Sequence, residues 1–170
     1  MGTDLRPGPL AAMLEELEAP DVSFGEWRGG ETEPDGSMQM PWFEYSPLAD
    51  RYMRAVAGGG FILTGFDWMR WMDTPAAQEL RDDPGRVETA SLLELAQLLT
   101  AIHRGDRFME GNIAGAFESG LIVRIVRRIR SIGVPSLTMW SVGRTLVRPI
   151  RKGPMTCRSA STPRRRSLSC

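Results

Sequence analysis

His103, Asp106, Arg107 and Glu110 form the one close grouping in this chain of residue types suited to acid–base chemistry, and His103 is its only histidine. An imidazole oriented by Asp106 or Glu110 can act as a general base while Arg107 or Arg104 holds an anionic group. The competing reading is structural. Arg104 and Arg107 would pair with Asp106 and Glu110 to fix a tight turn between helices, with His103 at a helix C-terminus, where a cation is favoured. Ion-pair networks perturb titratable groups as readily as active sites do. No second histidine exists to build a nucleophile–base pair elsewhere. We therefore expect the turn to be structural, with His103, Asp106, Arg107 and Glu110 as the residues of the alternative, a small hydrolase or transferase centred on His103.

Arg124, Arg127 and Arg128 stand at i, i+3 and i+4, so they share one helix face, with Arg130 nearby. Such a face can contact phosphates. More often it is solvated or pairs with acids of the same domain, and here no interleaved aromatics or reader motif accompany it. Nucleic-acid binding through this face is an alternative, not the favoured expectation. Cys157 and Cys170 are the only cysteines. Two thiols and one imidazole cannot supply a four-ligand zinc site, so no metal is expected. The Gly58-Gly59-Gly60 run lacks the following Lys-Ser/Thr of a phosphate loop, and no cofactor is expected either.

The elements that would position these residues follow from periodicity and caps. Residues 9–18 place Leu10, Met13, Leu14 and Leu17 on one helical face. Residues 21–36 read as a surface loop pinned by Phe24 and Trp27. Residues 37–45 read as a short strand, on an edge or bulged because of Pro41. A second strand is expected at 61–64, pairing with the first. Ser46-Pro47 and Thr74-Pro75 start helices with a hydroxyl cap and proline at the first position, and Asp67 caps a short aromatic turn carrying Trp68 and Trp71. Those aromatics are expected to pack a core around the hairpin, with a ligand pocket at Trp68 and Trp71 as the alternative. Ser91-x-x-Glu94 is a capping box opening a helix with Leu92, Leu95, Leu98, Leu99 and Ile102 on one stripe. Gly105 is placed to end it in a left-handed cap. A further helix is expected over about 108–119, broken at Gly120, and a last one from Leu121 with Ile122, Ile125, Val126 and Ile129 on its apolar face.

Several of these residues resemble a known pattern. Gly105-Asp106-Arg107-Phe108-x-Glu110-Gly111, Gly120 and the apolar-basic helix after it look like an uncharacterised bacterial family of unknown function. Upstream, Phe24-Gly25-x-Trp27, Gln39-Met40-Pro41, Tyr45-Ser46 and Phe66-Asp67-Trp68 are similar to the same family. The resemblance covers residues 14–132. It implies domain limits but no activity.

Composition closes the outline. Residues 1–133 hold 13 arginines against 21 acids, a net charge of −8, whereas 134–170 hold seven arginines, one lysine and no acid, a net charge of +8. An acidic body argues against nucleic-acid binding through the general surface. The late segment has the Ser, Arg, Pro and Cys content of a shifted reading frame in GC-rich DNA, and is read as frameshifted or fused rather than as a basic arm. No apolar run is long enough to span a membrane and no signal pattern opens the chain, so a cytoplasmic location is expected. The expectation is an α+β, predominantly helical protein with a small two-stranded β element and several short amphipathic helices. Residues 1–7 are expected to be a disordered N-terminus, 8–132 one domain, and 133–170 a basic disordered tail. Its expected role is that of a non-enzymatic interaction or accessory protein with an unidentified protein partner and no membrane contact.

Overall fold

Ser91 opens the longest and best-defined helix, and its capping box is fully formed in the computed structural model, which describes residues 4–32 and 34–133. The Ser91 hydroxyl accepts from the Glu94 N–H, and the Glu94 carboxylate accepts from the Ser91 N–H at 2.8 Å. Among the described residues the order is α1 (Gly8–Ala11), α2 (Leu14–Leu17), β1 (Gly25–Arg28), β2 (Trp42–Tyr45), α3 (Pro47–Gly58), α4 (Trp68–Met72), α5 (Pro75–Asp82), α6 (Pro84–Thr89), α7 (Leu92–Gly105), α8 (Asn112–Glu118) and α9 (Leu121–Gly133). The protein is mostly helical with a two-stranded antiparallel sheet, as its periodicities predict.

Helix α9 is the centre of the packing. Its Ile122, Ile125, Val126 and Ile129 are fully buried, and it lies against α1, α2, α6, α7 and α8. Helix α7 buries Leu95, Leu98 and Leu99 and carries α4, α5 and α8 on its flanks. The expected caps are present: Ser46 accepts from Ala49 N–H, Thr74 from Ala77 N–H and Asp67 from Arg70 N–H. Each satisfies an otherwise orphaned N–H of the first turn.

The hairpin differs from expectation. Trp42–Tyr45 pairs not with 61–64 but with Gly25–Arg28, in the register Gly25↔Tyr45, Glu26↔Glu44, Trp27↔Phe43 and Arg28↔Trp42. Tertiary contacts decide between the two candidates. Phe24 stacks on Phe117 of α8 at 4.0 Å between ring centroids, which seats the start of β1 on the helical body. Residues 61–63 are instead held on α7 by the buried Thr100, whose hydroxyl oxygen accepts from Leu63 N–H at 2.9 Å and lies 3.0 Å from the Phe61 carbonyl. Glu26 and Glu44 face each other across the pair, and Arg28 relieves the repulsion by bridging both carboxylates.

Other boundaries move for local reasons. The 9–18 stretch is two short helices, tightened between them by the Met13 N–H to Leu10 carbonyl bond. Asp83-Pro84 restarts the chain as α6, with the Asp83 carboxylate accepting from Gly85 N–H at 2.8 Å. Residues 4–7 are not a free end: Arg6 N–H donates to the Gly59 carbonyl at 2.9 Å. By its contacts the chain divides into Met1–Pro135 and Ser136–Cys170, and the tail expectation falls, beyond Gly133, outside the described residues. No helix among the described residues is long and apolar enough to cross a membrane.

Candidate functional site

The turn between α7 and α8 is built from its glycines outward. Gly105 is not the left-handed cap its position suggests. It ends α7 in helical geometry, and the left-handed residue is Gly111, at φ 80°, directly before α8. Gly105 is required for closeness: a Cβ there would lie 3.2 Å from Asn112 Nδ2, and Asn112 reaches back to donate to the Ile102 carbonyl at 2.8 Å. Gly111 is required for both conformation and space, since a Cβ would lie 3.1 Å from the Trp27 ring. This break leaves 106–111 as a turn and shortens the helix expected at 108–119 to Asn112–Glu118.

None of the expected ion pairs of Arg104 and Arg107 with Asp106 and Glu110 forms among the described residues. Asp106 Oδ1 instead accepts from the Tyr45 hydroxyl at 2.7 Å and from Ile113 N–H at 3.1 Å. It ties the hairpin to the turn and satisfies an open N–H at the start of α8. Glu110 Oε1 accepts from Phe43 N–H at 2.9 Å, holding the outer edge of β2. Burial and the Asp106 bond both push the Tyr45 phenol well above its usual range. Arg104 donates to the carbonyls of Leu63 (2.7 Å) and Phe66 (3.0 Å), groups that the irregular 61–66 segment would otherwise leave without partners. The carboxylates and Arg104 therefore serve the joint between hairpin, turn and helices.

His103 sits on α7 against the ring of Tyr52, with centroids 5.6 Å apart. Burial lowers its pKa to about 4, with Asp106 opposing that shift. Its Nε2 is buried and has no hydrogen-bond partner among the described residues. The expectation of a charged imidazole at the helix terminus gives way to a neutral one, because desolvation outweighs the pull of the Asp106 carboxylate. Among the described residues no group of three or more His, Cys, Asp or Glu side chains converges as a metal site would require.

The Arg124, Arg127 and Arg128 face is largely engaged. Arg127 Nε donates to Glu18 at 3.0 Å, Arg130 pairs with Glu15 at 3.4 Å, and Arg128 Nε donates to the Ala90 carbonyl at 3.0 Å. Arg124 Nε is buried without a partner among the described residues. Two acids of α2 and one of its cap thus meet arginines, since Glu16 also pairs with Arg51 of α3.

Two surface features escape sequence reasoning. An open apolar groove of about 790 Å³ runs between α4, α7 and α8, lined by Met69, Met72, Ala101, Ile102, Met109 and Ala116 among others. On its rim Phe108 is 79% exposed, Met109 66% and Met69 60%. Beside it, a cavity of about 580 Å³ is lined by Ile62, Trp68, His103, Arg104, Arg107 and Phe108. Trp68 and Phe108, 6.1 Å apart, line both. Trp71, which only the alternative reading placed in a pocket with Trp68, packs edge-on against Phe66, in keeping with the packing expected of these aromatics. The exposed run Phe108-Met109 beside a charged turn is the one signal in the sequence that pointed here.

A mostly helical body, a short hairpin and a turn whose charges hold the two together define the class. The chain belongs to the Family of unknown function (DUF6508), whose model matches residues 3–133. No curated protein and no solved structure matches it.

Proposed function

We propose that this protein is a cytoplasmic, non-enzymatic interaction protein that receives an amphipathic helix of a protein partner in the groove between α4, α7 and α8. The observation that carries this reading is the groove itself, a mostly apolar depression lined by residues of α4, α7 and α8, with Phe108, Met109 and Met69 exposed at its rim. Helix-in-groove recognition uses such a trough, and methionine side chains adapt to the incoming ridge. The net charge of −8 over residues 1–133 favours a partner helix whose outer face is basic. The neutral His103 and the engaged carboxylates of Asp106 and Glu110 support a structural role for the turn over a catalytic one. On this reading the 105–111 turn is the feature that marks the family.

A peptide-display selection against the immobilised full chain tests it. The expected result is a set of helical peptides with one apolar and one basic face, which lose at least about tenfold in affinity for the Met69→Asp/Phe108→Asp variant. Both positions are exposed, so that variant keeps its fold. A selection that returns no helical binder, or binders that hold the variant equally well, contradicts the reading.

A further inference from the structure

We propose that the cavity beneath Phe108 is a binding site for a small aromatic anion, its ring against Trp68 and Phe108 and its carboxylate or phosphate on Arg107 and Arg104. Four observations lead there. First, among the described residues the walls carry no acid: Ile62, Trp68, Phe108 and His103 surround two guanidinium groups. The domain around them has an excess of eight negative charges, so an acid-free cationic cavity stands out against its background.

Second, neither of the two arginines is paired with an acid among the described residues. Arg107 is exposed and has no carboxylate within ion-pair distance among the described residues, whereas Arg127 and Arg130 are both paired. Arg104 is fixed by the Leu63 and Phe66 carbonyls, which take two of its five N–H groups and leave the rest free to donate. A guanidinium already held in place gives up little freedom on binding an anion, so its hydrogen bonds count more fully.

Third, the aromatic wall is left partly unused by the fold. Phe108 is 79% exposed over Trp68, with the two rings inclined at 35°. A bulky aromatic kept in water at a cavity mouth, beside a second ring, is suited to cover a planar ligand. Arginine next to aromatic faces favours ligands that combine a ring with negative charge. Fourth, the imidazole of His103 forms part of the wall and is neutral, so the positive charge of the site comes from the two guanidinium groups. The volume, about 580 Å³, is in the range of small-molecule sites.

This inference does not rest on the helix-groove reading, although Trp68 and Phe108 line both surfaces. The two are separable because Arg107 lines only the cavity and Met69 only the groove.

The test is an NMR titration of the full chain. His103 is the only histidine, so its two imidazole C–H signals report the cavity without ambiguity. Adenosine 5′-monophosphate and indole-3-acetate serve as aromatic anions with a phosphate and a carboxylate. Adenosine supplies a ring alone and inorganic phosphate a charge alone. At least one of the two aromatic anions is expected to shift the His103 signals saturably, with Kd at or below about 1 mM. Whichever binds more tightly identifies the anionic group. Adenosine and inorganic phosphate should each bind at least about tenfold more weakly than that ligand. Arg107→Gln should weaken it at least about tenfold while leaving the His103 signals of the free protein in place, and Met69→Asp should leave it unchanged. The proposal is overturned if neither aromatic anion shifts His103 by about 10 mM, if phosphate alone matches the better ligand, or if Arg107→Gln binds like the parent chain.

Discussion

Asp106 accepts two hydrogen bonds, from the Tyr45 hydroxyl and the Ile113 N–H. Its replacement by alanine leaves a half-buried phenol and a helix N–H without partners. We expect Asp106→Ala to lower stability by on the order of 2 kcal/mol, read from the urea midpoint, and Asp106→Asn to lose less because an acceptor oxygen remains. Arg107→Ala, by contrast, should stay within about 0.5 kcal/mol of the parent, since its side chain is exposed and holds no acid. His103 gives a second residue-level test. Its folded pKa of about 4 lies below the ordinary 6.5, so the unfolded chain takes up the proton first on acidification. The neutral imidazole therefore contributes fully above pH 6.5 and loses its contribution as pH falls towards 4. Tyr52 from α3 and Asp106, Arg104 and Arg107 from the end of α7 and the turn are the groups around it. His103→Gln should flatten the fall in unfolding free energy between pH 7 and 4.5, measured by urea denaturation, by on the order of 2 kcal/mol. Identical slopes for the two proteins would refute the neutral, buried imidazole.

At the scale of elements, Thr100 carries weight that its small size conceals. It is fully buried, and its hydroxyl meets Leu63 N–H, the Phe61 carbonyl and the Ala96 carbonyl. Thr100→Val keeps the shape and strands the Leu63 N–H, so a loss of roughly 1–3 kcal/mol is expected in chemical denaturation. Helices α7 and α9 were legible in the sequence because their cues are local: for α7 a capping box at Ser91–Glu94 and a period of 3.6 in Leu95, Leu98, Leu99 and Ile102, and for α9 the break at Gly120 before it and the stripe of Ile122, Ile125, Val126 and Ile129. The caps at Ser46, Asp67 and Thr74 were legible for the same reason. The strand pairing was not. Residues 25–28 and 61–64 are both short, and only the stacking of Phe24 on Phe117 and the capture of 61–63 by Thr100 choose between them. The turn was half legible. Its charged residues were found, but their partners, Tyr45 and the Phe43 N–H, lie some 60 residues upstream, beyond the reach of spacing arguments.

Across the whole molecule, charge is arranged by sign. The net −8 of residues 1–133 coexists with a basic face on α9, which α2 partly neutralises through Glu18–Arg127 and Glu15–Arg130. A chain ending at Gly133 is therefore expected to show no salt-dependent DNA binding. True phosphate contacts would give a log-log salt slope of roughly one per contact. Because the core closes among residues 4–133, that shortened chain should also melt within a few degrees of the full one. The central claim concerns the groove. Its most direct test is the methionine methyl NMR spectrum of the full chain, titrated with a basic amphipathic helix from the display selection. Met69, Met72 and Met109 line the groove, Met38 and Met40 stand exposed on the hairpin side, and Met13 lies in the core. The account predicts saturable shifts at Met69, Met72 and Met109, with the other three unmoved. Shifts centred on Met38 and Met40, or none at the groove methyls at saturating peptide, would contradict it.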